Sequence, residues 1–148
     1  METETSFDEL GIKETILRGV YAYGFEKPSQ IQVKAIPHLI EGKDIVAQAQ
    51  SGTGKTGAFS IGALCKVDDT RDVTQLLILT PTRELSDQVY QVVKEISSYT
   101  KIRVAKCVGG TNVNVCGDEL RKNPQVVIGT TGRLLDMMNR RHLVTEDI

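Results

Sequence analysis

Cysteine is scarce in this sequence. The three present, Cys65, Cys107 and Cys116, are odd in number and lack metal-ligand spacing. That argues against a disulfide framework and a zinc site, and predicts reduced thiols in the core or at the surface. A surplus of either charge sign is also missing. With 18 basic and 19 acidic residues the formal net charge is −1, so no broad basic field advertises a polyanion partner. Any such partner would be held by local groups. No apolar run is long enough to span a bilayer, and no charged-then-apolar leader opens the chain. The expectation is therefore a protein without membrane association, in the cytoplasm or the nucleus. Internal repeats and low-complexity segments are absent. The two histidines, His38 and His142, stand apart without an obvious partner, and neither is expected to be catalytic.

What is present fits a globular domain. The 148 residues are 40% hydrophobic and 25% charged, enough for one domain with a sizeable core. Ile12, Ile16, Leu17 and Val20 share one face of a predicted helix over Ile12–Tyr23, which Gly24 stops. Ser29 is a candidate N-cap for a second helix with Ile31, Ala35, Ile36 and Leu39 apolar; Pro37 should kink it. A turn at Glu41–Asp44 leads into a predicted first strand, Ile45–Ala47. Strand and helix signals then alternate. Leu76–Leu79 is expected as a buried strand, and Thr82–Tyr99 as a helix with Leu85, Val89, Val92, Val93 and Ile96 inward. A strand follows at Ile102–Val108, a weaker helix at Val113–Lys122, a strand at Val126–Ile128 and a helix at Gly132–Asn139. This alternation predicts an α/β fold, a parallel sheet flanked by helices. Ligand groups should then lie at the C-terminal ends of the strands, where the unusual loops fall: Ala49–Lys55, Pro81–Glu84, Gly109–Gly110 and Gly129–Arg133.

The first of these loops carries the strongest signal. Ala49, Gln50, Ser51, Gly52, Thr53, Gly54, Lys55 and Thr56 form a phosphate-cradling pattern between an apolar segment and a helix. Glycines at 52 and 54 let backbone N–H groups turn inward toward phosphate oxygens, and the helix start adds positive partial charge. Lys55 can reach β- and γ-phosphates, and Thr56 can offer a hydroxyl to Mg²⁺. The rival reading is an ordinary glycine-rich turn.

The other loops match a family in order and spacing. Phe7, then Gly24-Phe25-Glu26-Lys27-Pro28-Ser29-Gln30-Ile31-Gln32, resembles the adenine-reading Q motif of DEAD-box RNA helicases. Ala49–Thr56 resembles that family's first motif, Pro81-Thr82-Arg83-Glu84-Leu85 the next, and Gly109-Gly110 its double glycine. Gly129-Thr130-Thr131-Gly132-Arg133 resembles its Thr-Pro-Gly-Arg element, with Thr131 in place of proline. Tyr21–Ser29 is similar to members that act in translation initiation.

The resemblance implies a RecA-like P-loop domain, with residues 1–33 as a helical Q-motif segment and 34–148 as part of the ATP-binding domain. It implies ATP and Mg²⁺ as ligands, with Phe25, Lys27 and Gln32 at the nucleotide and Lys55 and Thr56 at its phosphates and metal. It also implies single-stranded RNA gripped by Pro81, Thr82, Arg83, Gly109, Gly110, Thr130, Gly132 and Arg133. Translation-initiation scaffold proteins are implied partners of a monomer. Each assignment has a plainer rival. Gln32 also suits a surface helix position, Phe25 a core aromatic, Thr82 a helix N-cap, and Gly109-Gly110 a strand-end turn.

Phosphoryl transfer also needs acids that hold Mg²⁺ and position water. The family's Asp-Glu-Ala-Asp run does not occur here, and Asp118-Glu119 fits a solvated helix face. By resemblance, the missing motif, further strands and a second RecA-like domain lie beyond Ile148. That predicts open sheet edges and marginal stability for these residues in isolation, with binding but no hydrolysis.

Overall fold

A computed structural model describes residues 5–49, 52 and 54–148 of the chain. They form two compact units, one of residues 1–66 and 95–100 and one of 67–94 and 101–148.

The first unit is helical. A single 3-10 turn, Phe7–Glu9, precedes α1 (Glu14–Tyr23), whose inward face is Ile16, Gly19 and Val20. Gly24 caps it with φ 112°, a left-handed conformation that glycine adopts without cost. α2 (Gln30–Ile40) opens on a full capping box. The Ser29 hydroxyl accepts from the Gln32 N–H, and the Gln32 carboxamide oxygen accepts from the Ser29 N–H at 3.0 Å. Pro37 lies inside this helix. α3 (Lys55–Leu64) packs along α2 with small residues at the contact. A Cβ on Gly62 would stand 2.6 Å from the Leu39 Cβ. The α1 packing is as close, since a Cβ on Gly19 would meet the Ile96 carbonyl oxygen at 1.7 Å.

The expected strand at Ile45–Ala47 does not form. Residues 43–49 have no regular structure, and Val46 is fully exposed. An isolated apolar triplet has no neighbour to satisfy its backbone groups, so periodicity alone cannot make it a strand.

The second unit holds the sheet. Among the described residues it has three parallel strands in the order β1-β3-β2: β1 (Leu76–Thr80), β2 (Val104–Cys107) and β3 (Val126–Thr130). α4 (Arg83–Ile96) follows β1, α5 (Val113–Arg121) follows β2 and α6 (Thr131–Asn139) follows β3. The register sets Thr80 beside Thr130 and Cys107 beside Gly129, so the C-terminal ends of all three strands fall level. Central β3 is buried throughout Val126–Gly129. Gln125 ties down the opposite end. Its buried amide accepts from the Arg103 N–H at 2.8 Å and donates to the Arg71 carbonyl at 3.1 Å, while its own carbonyl accepts from Gln75 and Leu76.

Two burial expectations fail. β1 is an edge strand, and Leu79 is 55% exposed instead of buried. Leu85 is exposed as well; Ser86 takes the inward position and its hydroxyl pairs with that of Thr80. α4 therefore turns Ser86, Val89, Val93 and Ile96 inward. The Thr82 cap, which accepts from the Leu85 N–H at 3.2 Å, sets that phase.

Gly129 is where this unit tolerates least. A Cβ there would stand 2.0 Å from the Cys107 carbonyl oxygen, a backbone atom held by the ladder. Gly129→Ala should lower stability by about 3 kcal/mol or more, at the upper end of overpacking costs. Gly132→Ala is the control, since nothing lies within 4 Å of the added methyl. Urea midpoints of the two variants against the wild type check this, and equal midpoints would refute the close-approach account.

Candidate functional site

In the first unit, the start of α3 meets the start of α2. Gly54 caps α3 with φ 93°, and Gly52 also has a positive φ, 81°. The buried Gln32 side chain donates from Nε2 to the Gly54 carbonyl at 3.3 Å while its Oε1 holds the Ser29 N–H. Gln32 is therefore no surface residue. It links the α2 cap to the phosphate loop, and its amide keeps one hydrogen and one lone pair for a further partner. A Cβ on Gly54 would crowd Gln32 Nε2 at 2.6 Å, and one on Gly57 would meet the same atom at 2.8 Å and the Phe25 ring at 3.0 Å. Phe25 also stacks at a tilt on Tyr23, 4.9 Å between centroids, and on Phe7 at 6.1 Å.

Around these residues lies a cleft of about 680 Å³. Phe25, Lys27, Ser29, Gln32, Ala49, Gly52 and Gly54 line it. Lys55 is exposed at the first position of α3 and Thr56 is half-buried beside it. Gln50, Ser51 and Thr53, three of the expected phosphate-loop residues, lie outside the described residues. The donor set that is described suits a nucleotide. There is an apolar wall with an amide beside it, then glycine-bounded backbone and an ammonium at a helix start.

In the second unit the expected nucleic-acid residues gather at the C-terminal edge of the sheet. Pro81, Thr82 and Arg83 are exposed after β1. Gly109 and Gly110 follow β2, and the Gly109 N–H donates to Thr130 Oγ1 at 3.1 Å. Gly110 has φ 84°, and the Arg83 guanidinium reaches within 3.7 Å of where its Cβ would be. Arg83 has no hydrogen-bond or ion-pair partner among the described residues. Thr130 is the N-cap of α6, and its hydroxyl makes no cap bond because it serves Gly109.

Arg133, expected at the RNA backbone, also has partners within its own unit. It is half-buried, donating to the Thr111 carbonyl at 2.7 Å, to Thr111 Oγ1 at 3.1 Å and to Cys116 Sγ at 3.1 Å. It therefore holds the turn after Gly109-Gly110 in shape. Spacing within the motif could not reveal this, because Thr111 and Cys116 are distant in sequence. Cys107 and Cys116 are buried together with Leu120, Val127, Leu134 and Met137. Burial, then the neighbouring Cys116, pushes the Cys107 thiol up to about 12. Burial acts to raise Cys116 too, but hydrogen bonds from Thr111 and Arg133 outweigh it and leave that thiol below its ordinary value. Asp118 and Glu119 are exposed on α5 and pair with Arg121 and Lys122 of the same face, as a solvated helix surface would.

A parallel sheet with helices on its faces and ligand loops at the strand ends defines an α/β domain. Comparison narrows the class. The family model described as DEAD/DEAH box helicase matches residues 29–148. The chain is 52% identical over 147 residues to an ATP-dependent RNA helicase eIF4A of Aspergillus niger, covering 99% of this chain and 37% of that protein. It is 49% identical over 151 residues to the ATP-dependent RNA helicase FAL1 of Mycosarcoma maydis, covering 100% and 37%. Among solved structures, a DEAD box protein from the hyperthermophile Methanococcus jannaschii superposes with TM-score 0.90 at 38% identity, covering 97% of this chain and 39% of that one. Dbp5 of S. cerevisiae, bound to RNA and ADP BeF3, does so at 0.86 and 40%, covering 97% and 36%. The chain belongs to the DEAD/DEAH box helicase family, and it spans about 37% of the length of the curated relatives it matches.

Thr131 stands where the resembled motif has proline. It is the first residue of α6, the helical position proline favours. Thr131→Pro should raise stability by about 0.4–1 kcal/mol by restricting the unfolded chain. A lower denaturation midpoint would show that the Thr131 N–H has a partner that proline removes.

Proposed function

We propose that this chain supplies the ATP cleft and part of the RNA grip of an ATP-dependent RNA helicase, of the kind that acts in translation initiation. The Gln32–Gly54 hydrogen bond carries the reading, because it joins a buried amide at the cleft wall to the backbone of the phosphate loop. Gln32 has spare amide capacity for the donor–acceptor edge of adenine, and Phe25 offers a face to the base. Gln50, Ser51, Gly52, Thr53 and Gly54 would turn backbone toward phosphate oxygens. Lys55 would neutralise β- and γ-phosphate charge, Thr56 would offer its hydroxyl to Mg²⁺, and Lys27 and Ala49 would border the nucleotide. Bound ATP–Mg²⁺ would supply the phosphoryl group whose transfer drives such an enzyme. In this scheme residues 1–33 present the base-reading segment and residues 34–148 the body of the domain.

RNA would lie along the level strand ends, held through sugar and phosphate by Pro81, Thr82, Arg83, Gly109, Gly110, Thr130 and Gly132. The exposed Arg83 would supply the main charge. Arg133 would act from behind by holding the Thr111 turn. This grip needs few cations and reads no base edges, in keeping with the net charge of −1. Translation-initiation scaffold proteins are the partners this reading implies, for a monomer in the cytoplasm. Dbp5, a structural relative, has been solved with Gle1 and with Nup159, which are partners of that protein.

One observation favours a second reading, in which these residues bind without hydrolysing. The acidic pair Asp118-Glu119 is taken up by surface ion pairs with Arg121 and Lys122 of its own helix face.

Binding measurements on the chain separate the roles. Lys55→Ala should weaken ATP binding about tenfold or more, the loss expected for a charge-assisted hydrogen bond, and leave poly(U) binding unchanged. Arg83→Ala should weaken poly(U) and poly(A) alike, lower the salt slope by about one and leave ATP binding unchanged. Wild-type ATP affinity in Lys55→Ala would sink the nucleotide assignment.

A further inference from the structure

Beneath the Pro81–Arg83 turn lie two buried hydroxyls that no step of the RNA grip described above uses. Thr80 ends β1, and Ser86 lies in the first turn of α4, six residues on. Both are buried, and their oxygens share a hydrogen bond. Thr80 Oγ1 also lies 3.0 Å from the Thr82 carbonyl oxygen, which accepts from the Ser86 N–H at 3.1 Å. A hydroxyl carries a single hydrogen, so one proton order satisfies both contacts of Thr80. The Ser86 O–H donates to Thr80 Oγ1, and the Thr80 O–H donates to the Thr82 carbonyl. That carbonyl is thus held toward the core by two donors. The peptide it belongs to is planar and trans, so its other end, the Arg83 N–H, points away from those donors. The Thr82 hydroxyl oxygen accepts from the Leu85 N–H at 3.2 Å, which leaves its hydrogen to give to another acceptor. The Arg83 and Glu84 N–H groups open α4 and have no acceptor within it.

We propose that Thr80 and Ser86 are positioning residues for RNA. Their hydroxyl chain fixes the Thr82 peptide, so that the Thr82 hydroxyl and the Arg83 and Glu84 N–H groups converge on one phosphate. This role rests on the RNA reading above and adds to it two residues that never touch the strand. Stability alone gives the pair no purpose. Two buried hydroxyls that satisfy each other can be exchanged together for apolar groups of like shape at little cost. What the chain adds is order. A Thr82 carbonyl left to the Ser86 N–H alone would tilt more freely, and a phosphate would then have to order the turn as it binds. Pro81, whose ring fixes its own φ, limits the turn from the strand side, and the hydroxyl chain limits it from the helix side. Neither Thr80 nor Ser86 carries charge. They therefore act on affinity without acting on its salt dependence, which belongs to Arg83.

Removing both hydroxyls at once, in Thr80→Val/Ser86→Ala, breaks the chain without orphaning either partner. The urea midpoint of this double variant should match the wild type, while its poly(U) affinity should fall several-fold. The slope of log affinity against log salt should stay at the wild-type value, unlike that of Arg83→Ala. Thr80→Val alone should lose as much affinity, and Thr80→Ser, which keeps the hydroxyl, should retain it. Ser86→Ala keeps the bond to the Thr82 carbonyl and should lose less. A second readout needs no RNA. The backbone amide resonances of Arg83 and Glu84 should shift in Thr80→Val and return in Thr80→Ser. Wild-type poly(U) affinity in the double variant, a reduced salt slope, or a urea midpoint that falls in step with affinity would each overturn the positioning role. Unmoved Arg83 and Glu84 resonances would overturn it as well. A wild-type chain that does not bind poly(U) at all would instead sink the RNA reading, and the positioning role with it.

Discussion

Close approach to backbone at positions where a side chain would not fit is the constraint on which this structure rests. In the sheet, β3 can sit level with β2 only because Gly129 leaves the Cys107 carbonyl room; the methyl of alanine would occupy it. That register brings Thr130 beside Gly109, and the next residue, Gly110, lies near Arg83. In the helical unit, α3 can start against α2 only because Gly54 and Gly57 leave room for the Gln32 amide and the Phe25 ring. Each candidate site thus depends on glycines whose first task is packing. Their phosphate-facing role is a consequence of the same small volume.

Much of this was legible in order along the chain. Gly24 as a stop, Ser29 as an N-cap and the β–α alternation after residue 75 follow from local chemistry, and local chemistry decides them. The readings that failed depend on neighbours. Ile45–Ala47 has the composition of a strand but no strand beside it in the described residues. Leu79 and Leu85 fit apolar periodicity, yet one lies on an edge strand and the other is turned outward by the Thr82 cap. Period fixes which residues share a face, while tertiary contacts choose which face is covered.

The candidate sites divide the same way. Loop residues such as Gly54, Lys55, Arg83 and Gly109 could be placed from motif order, because turn geometry and strand ends locate them. Residues that act through long-range polar contacts could not. Gln125 reads as an ordinary polar residue before an apolar strand, yet its buried amide joins the start of β3 to the chain before β1 and β2. Arg133 reads as a phosphate ligand from its motif, yet its hydrogen bonds go to Thr111 and Cys116. A guanidinium has five N–H donors, and the three bonds to Thr111 and Cys116 leave Nε and one Nη2 hydrogen for a further acceptor.

That accounting separates the two arginines at the strand ends. Arg83 is exposed and without a partner among the described residues, so a phosphate beside Gly110 would displace only water. Binding there gains charge pairing without breaking a protein hydrogen bond. Arg133 differs in being already tied to the turn that follows Gly109 and Gly110, with two of its donors still open. Keeping Arg133 on Thr111 and Cys116 supports the shape of the double-glycine turn. It also explains why a thiol can sit in contact with a cation in this core. The guanidinium is fixed by the Thr111 carbonyl, and Cys116 is the polarisable neighbour left to it.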